Sequence, residues 1–561
     1  MRDAYDDTAS SDDDSSEEDS SEEDSSEKDT SEEDSSKDDS SEKDSSEDDS
    51  SEEESSDDDS SDEDSEDGKT RLNKKGEKKG KGRTQTPVTL RIFSLRNIAI
   101  PVFYWLLSFT QGCLLPIMDD LPKDLGASAA QLNNIETIFY LPVYFKIVLA
   151  LLSDAVPIQG LRRKPYIFFG WLIAIIFIIC LAALSDVNHT PGETPSANSP
   201  SIGFLSAVLF FYGFGSTMAS VCIDAMVVEK YMIEEETGKG RFLGTCLAFK
   251  FFGFIVAVPI GPAIYAEFGS AALFSVLCVV PFVALSLLYP LQEDSMANAK
   301  KTVRTPAKIA VLNLWDACKS RSVYQTVGGL FLYLMFQVQF TRINQYLEFS
   351  GLSETDINIT TILGIVGMLF GILQYRLFLL QKPWKFMLSV SAGLTVVSTL
   401  LYLFVVAGSG GLLLAIFAKM VTGFVNGLEL LPVVLLLAEL SSLKGSEATS
   451  FATVSSITNF ALATSQSMGV VIEDWFNASL DSLEDGTSGS LTGLVLVLAF
   501  LPLFSILGIM RLPANRATLE SWRETKKTSR GFLLVGVVIM SVVYSLIVAL
   551  VNFIVYQVVI S

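Results

Sequence analysis

Histidine is almost absent from this chain of 561 residues, whose single example, His189, lies in a predicted loop. One histidine argues against a serine–histidine catalytic site and against a histidine-ligated metalloprotease centre. The six cysteines form no CxxC pair and nearly all lie in apolar runs, so we expect small buried hydrophobes rather than metal ligands or disulfides. A G-x-x-x-x-G-K-[ST] motif is also absent, which excludes the usual signal of a nucleotide-driven pump. The sequence therefore predicts no cofactor, no metal and no enzymatic activity.

Acidic charge is concentrated at one end of the chain. Residues 1–67 hold 35 of the 65 acidic residues but only 4 of the 41 basic ones, in five-residue units such as SSEED and SSEKD. This segment has almost no apolar surface to bury, so we predict that it is disordered. Two interpretations remain open for it. It is a solvated, self-repelling brush, or it is the target of an acid-directed kinase, because its serines precede acidic residues.

A basic linker, residues 68–96, separates the acidic tail from the first apolar run. Nuclear import is one interpretation of its sequence KTRLNKKGEKKGKGRTQ. Its position directly before a hydrophobic segment favours attraction to an anionic cytosolic membrane surface instead. We therefore expect a lipid bilayer, and no nucleic acid, as its partner. The first ten residues, MRDAYDDTAS, have no apolar core, so no cleavable signal peptide is expected.

Apolar runs of membrane-spanning length fill the rest of the chain, which is 49% hydrophobic overall. Thirteen are predicted, at 97–118, 131–153, 165–185, 201–228, 241–266, 270–290, 323–347, 355–380, 384–407, 411–440, 448–473, 490–510 and 531–558. The first twelve divide six and six around a polar loop, 291–322. We predict an all-α membrane protein with one six-helix bundle at 97–290 and a second at 323–510. Residues 511–561 add a basic loop and a thirteenth run, expected to span; an interfacial helix or a hairpin are the alternatives.

Loop charge predicts the orientation in the membrane. Basic loops follow runs 2, 6, 8 and 12, so they share one side with the basic linker, and the positive-inside rule makes that side cytosolic. The sequons at Asn188, Asn358 and Asn477 follow runs 3, 7 and 11 and therefore lie on the other side. Asn188 and Asn477 are predicted glycosylation sites, whereas Asn358 is too near run 8. A plasma-membrane protein with a cytosolic N-terminus is expected.

Charged residues inside the spans are candidate functional groups, because a charge in the bilayer is costly unless it is paired or faces water. For each one a structural salt bridge is as good an interpretation as a ligand contact. As a set they favour a polar pathway between the bundles. The candidates for substrate binding or proton coupling are Asp224, Lys250, Arg342, Glu429 and Glu136.

Polar and small residues recur at helical spacing on three runs, which predicts polar helix faces toward that pathway. On run 4 the face is Gly213, Thr217, Ser220 and Asp224; on run 7 it is Gln337, Thr341, Gln345 and Glu348; on run 11 it is Ser456, Asn459, Ala463 and Ser467. A ridge of Gly253, Ala257 and Gly261 on run 5 is more typical of helix packing than of a substrate site.

The short loop between runs 2 and 3 carries an unusual set of charges. Asp154 ends run 2, and Gly160, Arg162 and Arg163 precede run 3 in the sequence LLSDAVPIQGLRRKPY. A carboxylate that reaches back to these cations, or to a neighbouring helix end, would hold the pathway through the protein closed on one side of the membrane. We therefore predict a gate at these four residues. Ordinary positive-inside anchoring is the alternative.

Three stretches resemble the signatures of the folate–biopterin transporter family, a branch of the major facilitator superfamily. They are D-x-x-P-I-x-G-x-R-R-x-P-Y from Asp154, DAMVVEK from Asp224, and the run 10–11 stretch that contains Pro432, Glu447 and Asn459. The resemblance covers residues 97–510. Ile147, Ala150 and Leu443 depart from the family pattern.

The resemblance implies a two-bundle secondary transporter of the major facilitator type that takes up folates or pterins, coupled to protons. A carboxylate can accept the amidine-like edge of a pterin ring, and lysine or arginine can bind the anionic glutamyl tail of folate. Two alternatives stay open. The same architecture would also suit another organic ion or nutrient such as S-adenosylmethionine, and a non-transporting scaffold could use the acidic tail to recruit cytosolic partners.

Overall fold

The computed structural model describes residues 91–126, 129–184, 201–293, 315–407, 411–441, 446–478 and 489–525, with a few isolated positions beyond them. The acidic tail, nearly all of the basic linker, Asn188, most of the 291–322 loop and nearly all of the thirteenth run lie outside the described residues. The predictions for those segments therefore remain predictions.

Within the described ranges the regular structure is helical, and an isolated bridge between Ile158 and Leu161 is not part of a strand. The helices of the first half are α1 (Leu95–Cys113), α2 (Leu115–Asp124), α3 (Ala129–Tyr144), α4 (Lys146–Ala155), α5 (Lys164–Leu184), α6 (Ile202–Ile233) and α7 (Arg241–Leu287). Those of the second half are α8 (Arg321–Met335), α9 (Ile343–Phe349), α10 (Glu354–Gln374), α11 (Trp384–Val406), α12 (Gly411–Leu440), α13 (Glu447–Trp475), α14 (Leu491–Phe500), α15 (Ile506–Arg511) and α16 (Arg516–Glu524). The prediction of an all-α membrane architecture is confirmed.

Several predicted runs are bent or broken helices. Runs 5 and 6 are continuous as α7, but Gly269 bends the chain between them with φ 76°, a conformation that glycine adopts readily. Run 2 consists of α3 and α4, which meet at Phe145 with a bend of 46°. Seven of the described helical segments are long and apolar enough to cross a membrane alone, or eight if the bent pair counts as one span.

Run 7 is interrupted between the end of α8 at Met335 and the start of α9 at Ile343. The fully buried carboxylate of Glu473 in α13 accepts hydrogen bonds from the backbone N–H groups of Thr341 (2.6 Å) and Arg342 (3.4 Å) and from the Thr341 hydroxyl. A break at membrane depth needs such partners for its freed backbone groups. The continuous polar face expected on run 7 is therefore interrupted.

Small residues bring helices into close contact within each half. A Cβ atom on Gly253 of α7 would lie 2.5 Å from the carbonyl oxygen of Trp105 in α1, so the predicted ridge on run 5 packs against another helix. In the second half, a Cβ on Gly423 of α12 would lie 1.8 Å from the carbonyl oxygen of Gly364 in α10. These contacts hold α1 to α7 and α10 to α12, the helices that form walls of the cavity described next.

Candidate functional site

A cavity of about 630 Å³ lies between the two halves. Its volume falls in the range of sites for small organic ligands. Helices α1, α4, α6 and α7 form one wall, and α8, α10, α12 and α13 contribute to the other together with Gln337 and Gln339. The polar and charged residues of the lining include Tyr104, Gln111, Lys146, Thr217, Ser220, Asp224, Lys250, Gln337, Glu429, Ser455, Asn459 and Gln466.

The wall of the first half carries an ion pair and an additional cation. The Lys146 ammonium lies 2.9 Å from one oxygen of Asp224, and the hydroxyl of Tyr104 donates a hydrogen bond to the other oxygen. Lys250 lines the same cavity, and within the described part of the chain its ammonium has neither an ion pair nor a hydrogen bond. With two lysines and one aspartate, this wall has one excess positive charge.

The wall of the second half carries a carboxylate and an unsatisfied amide. Glu429 is 9% exposed and faces the hydroxyl of Tyr333. Gln337 is 6% exposed and also lies near the Tyr333 hydroxyl, but neither its amide nitrogen nor its amide oxygen has a partner with hydrogen-bond geometry among the described residues. Buried polar groups are nearly always paired, so an unpaired amide at a cavity indicates a place for a polar ligand group.

The other predicted binding residues are placed differently. Arg342 does not line the cavity; its guanidinium lies 2.7 Å from Asp474 and 3.8 Å from Glu473. Glu136 lies on α3, and its side chain is outside what the structure describes. Asn459 lines the cavity, and Pro432 is buried within α12. The predicted glycosylation site Asn477 follows the end of α13 with φ 49°.

Sequence reasoning did not select Tyr104 and Lys146, the two partners of Asp224. Lys146 is among the charged residues recognised within the predicted spans, but it was not chosen as a binding or coupling candidate. Tyr104 had no such signal, since a tyrosine in an apolar run is common at the membrane interface as well.

The predicted gate residues do assemble at one end of the molecule, which we call the basic end: the α4–α5 loop, the α6–α7 loop and α16. Asp154 and Arg163 form an ion pair of 2.7 Å with both side chains fully buried. Arg163 also contacts Glu229 at 3.1 Å and Ser153 at 2.8 Å. Gly160 has φ 77° in the tight turn that returns the chain to α5, which explains a glycine there.

The contacts of these residues extend across the two halves. The second oxygen of Asp154 accepts hydrogen bonds from the backbone N–H of Thr449 (2.8 Å) and from its hydroxyl (2.6 Å) at the start of α13. Glu447, the first residue of α13, lies 3.6 Å from Arg163 and 3.9 Å from Arg162. Asp154 is thus paired with Arg163 rather than with Arg162.

Other polar contacts between the halves also lie at the basic end. The guanidinium of Arg376, next to the end of α10, donates to the Arg241 carbonyl (3.2 Å) and to the Thr245 hydroxyl (3.0 Å) at the start of α7. The hydroxyl of Tyr231 at the end of α6 donates to Glu439 at the end of α12 (2.8 Å). The two halves are therefore joined at this end of the cavity.

Helix α16 reinforces this closure. Arg516 at its start lies 2.5 Å from Glu236 of the first half and 3.4 Å from Glu439 of the second, and it donates to the Tyr231 hydroxyl (2.9 Å). In the α6–α7 loop, which also contains Glu236, burial raises the pKa of Glu234. Hydrogen bonds from the backbone N–H groups of Gly240 and Phe242 oppose this rise in pKa.

Comparisons with known proteins agree with this architecture. A profile of the BT1 family matches residues 115–530. The folate-biopterin transporter of Synechocystis sp. is 22% identical over 385 residues, 66% of this chain and 74% of that protein. Probable folate-biopterin transporter 7 of Arabidopsis thaliana is 25% identical over 392 residues, 66% of this chain and 83% of that protein.

Solved structures show the same fold. The proton:xylose symporter XylE has a TM-score of 0.53 at 14% identity, over 77% of this chain and 99% of its own. The transporter FucP in the outward conformation has a TM-score of 0.50 at 11% identity, over 74% of this chain and 97% of its own. Both are major facilitator superfamily proteins, and the resemblance inferred from the sequence is confirmed. The chain has the fold of that superfamily and belongs to the BT1 family.

Proposed function

We propose that this protein is a secondary active transporter that moves folate- or pterin-like solutes across a membrane by alternating access, with proton coupling. The observation that carries the proposal is the charge distribution of the cavity between the halves. Lys250, a cation with no ion pair among the described residues, lies on one wall, and the carboxylate of Glu429 and the amide of Gln337 lie on the other.

This distribution matches the chemistry of a folate. A carboxylate such as Glu429 can accept two hydrogen bonds from the amidine-like edge of a pterin ring, and the Gln337 amide offers a further donor and acceptor. The glutamyl tail of folate has two carboxylates, and Lys250 supplies a positive charge for one of them. Asp224 suits the ring less well than Glu429, because its two oxygens are already bound to Lys146 and Tyr104. The folate-biopterin relatives support the substrate class.

Proton coupling is assigned to the same carboxylates. Asp224 and Glu429 are acidic groups of membrane-spanning helices that line the cavity, and the chain has no histidine in any predicted span. Protonation of Asp224 would release Lys146 and thereby change the charge of the wall that faces the substrate. The pair Asp224 and Lys146 is therefore the element through which a proton would alter the site.

The basic end is proposed to face the cytosol, in line with its loop charges, and the protein to reside in the plasma membrane. The contacts of Asp154, Arg163 and Thr449 then hold the cytosolic gate closed. In the alternative state of the cycle these contacts separate, as rocking of two bundles requires. The acidic tail would remain in the cytosol, where an acid-directed kinase could modify it.

A zwitterionic solute other than folate is the second candidate, because the cavity offers both a cation and a carboxylate. S-adenosylmethionine carries an amino acid group and a sulfonium charge, for which these two walls also provide partners. A scaffold function, by contrast, gives no reason for a cavity whose walls carry Lys250, Glu429 and Gln337.

Counterflow in liposomes that hold the purified protein tests the proposal. Liposomes preloaded with unlabelled folate should accumulate labelled folate, and labelled biopterin should exchange as well. Liposomes with an unrelated membrane protein serve as the blank. Exchange of S-adenosylmethionine but not of folate would support the second candidate, and exchange of neither would reject transport of this class.

A further inference from the structure

A second cavity of about 230 Å³ lies wholly within the second half of the protein. It is bounded by α10, α11, α12 and the non-helical residues that follow α8. Its hydroxyl-bearing lining residues are Thr361, Thr395, Ser398, Thr399, Tyr402 and Thr422. The hydroxyls of Thr361, Thr395, Ser398 and Thr399 donate to backbone carbonyls of their own helices, which leaves their oxygens able to accept from a ligand.

Among the described residues that line this cavity, Lys419 of α12 is the only one that is charged. Its ammonium donates to the neutral amide oxygen of Asn344 at 2.8 Å, and within the described part of the chain no carboxylate lies within ion-pair distance of it. A cation in a membrane-spanning helix is costly unless it is paired or faces water, so the ammonium of Lys419 at this cavity is open to an anionic ligand group.

Tyr402 supplies a second group suited to an anion. The residue is 5% exposed, and its oxygen accepts a hydrogen bond from the Thr422 hydroxyl at 3.4 Å. Because that bond uses the oxygen as acceptor, the phenolic proton of Tyr402 is available to a ligand in the cavity. A phenol and an ammonium together can bind a carboxylate through charge-assisted hydrogen bonds.

A pair of amides separates the two cavities. Gln339, Asn426 and Met368 line both of them. The amide nitrogen of Gln339 donates to the Asn426 oxygen at 2.8 Å, and the return bond from Asn426 to Gln339 is 3.5 Å. Such a reciprocal pair can open by rotation of two side chains, since each amide can exchange its partner for a ligand group.

We propose that the second cavity is a subsite for the carboxylate-bearing end of an extended substrate, with Lys419 as its counter-charge and the Gln339–Asn426 pair at its entrance. This inference rests on the proposed function, because it places one end of the same solute in the main cavity. At about 30 Å³ for each water, the space holds roughly seven waters, which is enough for a glutamyl group. The substrate class that uses both cavities is therefore a pterin with an acidic tail.

The test compares Lys419→Gln with Lys419→Arg, using purified protein and three probes: folate, biopterin and p-aminobenzoylglutamate. Folate carries the ring and the acidic tail, biopterin only the ring, and p-aminobenzoylglutamate only the tail. Lys419→Gln should weaken binding of folate and of p-aminobenzoylglutamate by about tenfold or more, a loss typical of one charge-assisted contact. Binding of biopterin should change by less than about twofold, and Lys419→Arg should retain most of the folate affinity.

Two control variants separate a ligand contact from a structural one. Lys385→Gln removes a lysine at the basic end whose ammonium bonds the Met510 carbonyl, outside both cavities, and should leave all three affinities unchanged. Asn344→Ala removes the neutral partner of Lys419 and should lower none of the affinities as far as Lys419→Gln.

The outcomes distinguish this inference from the proposed function. Equal weakening of folate and biopterin by Lys419→Gln would overturn the subsite and leave the proposed function intact. Folate binding that is insensitive to Lys419→Gln would also overturn the subsite and leave the proposed function intact. Wild-type binding of p-aminobenzoylglutamate that depends on Lys419, without any binding of folate or biopterin, would support the anion site and reject the proposed function.

Discussion

The carboxylate of Asp154 in the first half accepts two hydrogen bonds from Thr449 in the second half, at 2.8 and 2.6 Å, while its other oxygen pairs with Arg163 at 2.7 Å. One side chain therefore joins the halves and neutralises the buried arginine of its own half. Because the bond to Thr449 must break when the basic end opens, it stabilises only the closed state. A fixed charge pair within one half would bias neither state.

Replacing Thr449 by valine should shift the conformational equilibrium. The variant removes the hydroxyl donor to Asp154 but keeps the pair of Asp154 with Arg163. The free-energy difference that favours the closed state should therefore fall by about 1–3 kcal/mol, a typical size for such couplings. The measurement is the labelling rate of a cysteine placed at the basic end, together with turnover. Thr453→Val is the matched control, since among the described residues the Thr453 hydroxyl bonds only the backbone carbonyl of Thr449 in its own helix. Equal labelling of both variants would contradict a gate at Thr449.

Asp154→Asn should be more severe than Thr449→Val. The change removes one partner of a fully buried ion pair and leaves the Arg163 charge without that partner, which should lower the stability of the closed state by about 3–5 kcal/mol. Glu229, at 3.1 Å, retains part of the compensation. Turnover should fall more than substrate affinity, because the residue lies at the end of the bundle and not on the cavity. Measurement of both at matched surface levels checks this, and a defect in affinity alone would place Asp154 in the binding site.

Asp224→Asn should abolish concentrative uptake and retain folding and surface delivery. The variant leaves Lys146 without its counter-ion and removes an acidic group that is assigned to the proton. The measurement is uptake against a gradient as a function of external pH, with exchange at equal concentrations as the comparison. Uptake with an unchanged pH dependence would show that the pair of Asp224 and Lys146 is structural.

Glu473→Gln should destabilise the break in run 7. The carboxylate is fully buried and accepts hydrogen bonds from three donors, including two backbone N–H groups that have left the helix. A neutral amide has one acceptor oxygen, so at least one buried donor would lose its partner. The loss should destabilise the folded protein by about 1–3 kcal/mol. The melting temperature of the purified protein should fall. Asp474→Asn, which alters a more exposed partner of Arg342, should lower it less. An equal fall in melting temperature for both variants would show that Glu473 has no special role in stabilising the break.

Deletion of residues 1–67 should leave the transport rate of each surface molecule unchanged. This acidic segment has almost no apolar surface with which to contact the bundle and is joined to it through the basic linker. Uptake divided by surface abundance is the measurement, and trafficking or partner binding should change instead. A large fall in the normalised rate would show that the tail takes part in the transport cycle.

The sequence allowed the prediction of the helices and their grouping, since uninterrupted apolar runs and basic loops are local signals. It also drew attention to the α4–α5 loop as the proposed gate, because Asp154, Gly160 and Arg163 lie close together in the chain. It did not predict Thr449 as the partner of Asp154, which is 295 positions away. The break at residues 336–342 escaped prediction as well, because the residue that satisfies it, Glu473, belongs to another helix.

A charge within a predicted span indicated several residues that line the cavity. Helical spacing did not show which way the side chains of a broken helix face. Asp224, Lys250 and Glu429 all line the cavity, yet Arg342 is on a broken helix whose path could not be inferred from helical spacing. Gln337 was noticed as one member of a polar face. Its importance depends on the absence of a hydrogen-bond partner, which only the packed structure reveals.

Equilibrium binding of labelled folate to the purified protein tests the central claim, a folate- or pterin-binding cavity between the halves, most directly. Wild-type protein should bind saturably, Lys250→Met should bind about tenfold more weakly or worse, and Lys319→Met, a change outside the cavity beside Trp315, should bind as the wild type does. Unlabelled biopterin should compete for the site. Absence of saturable binding, or one affinity shared by all three proteins, would contradict the account.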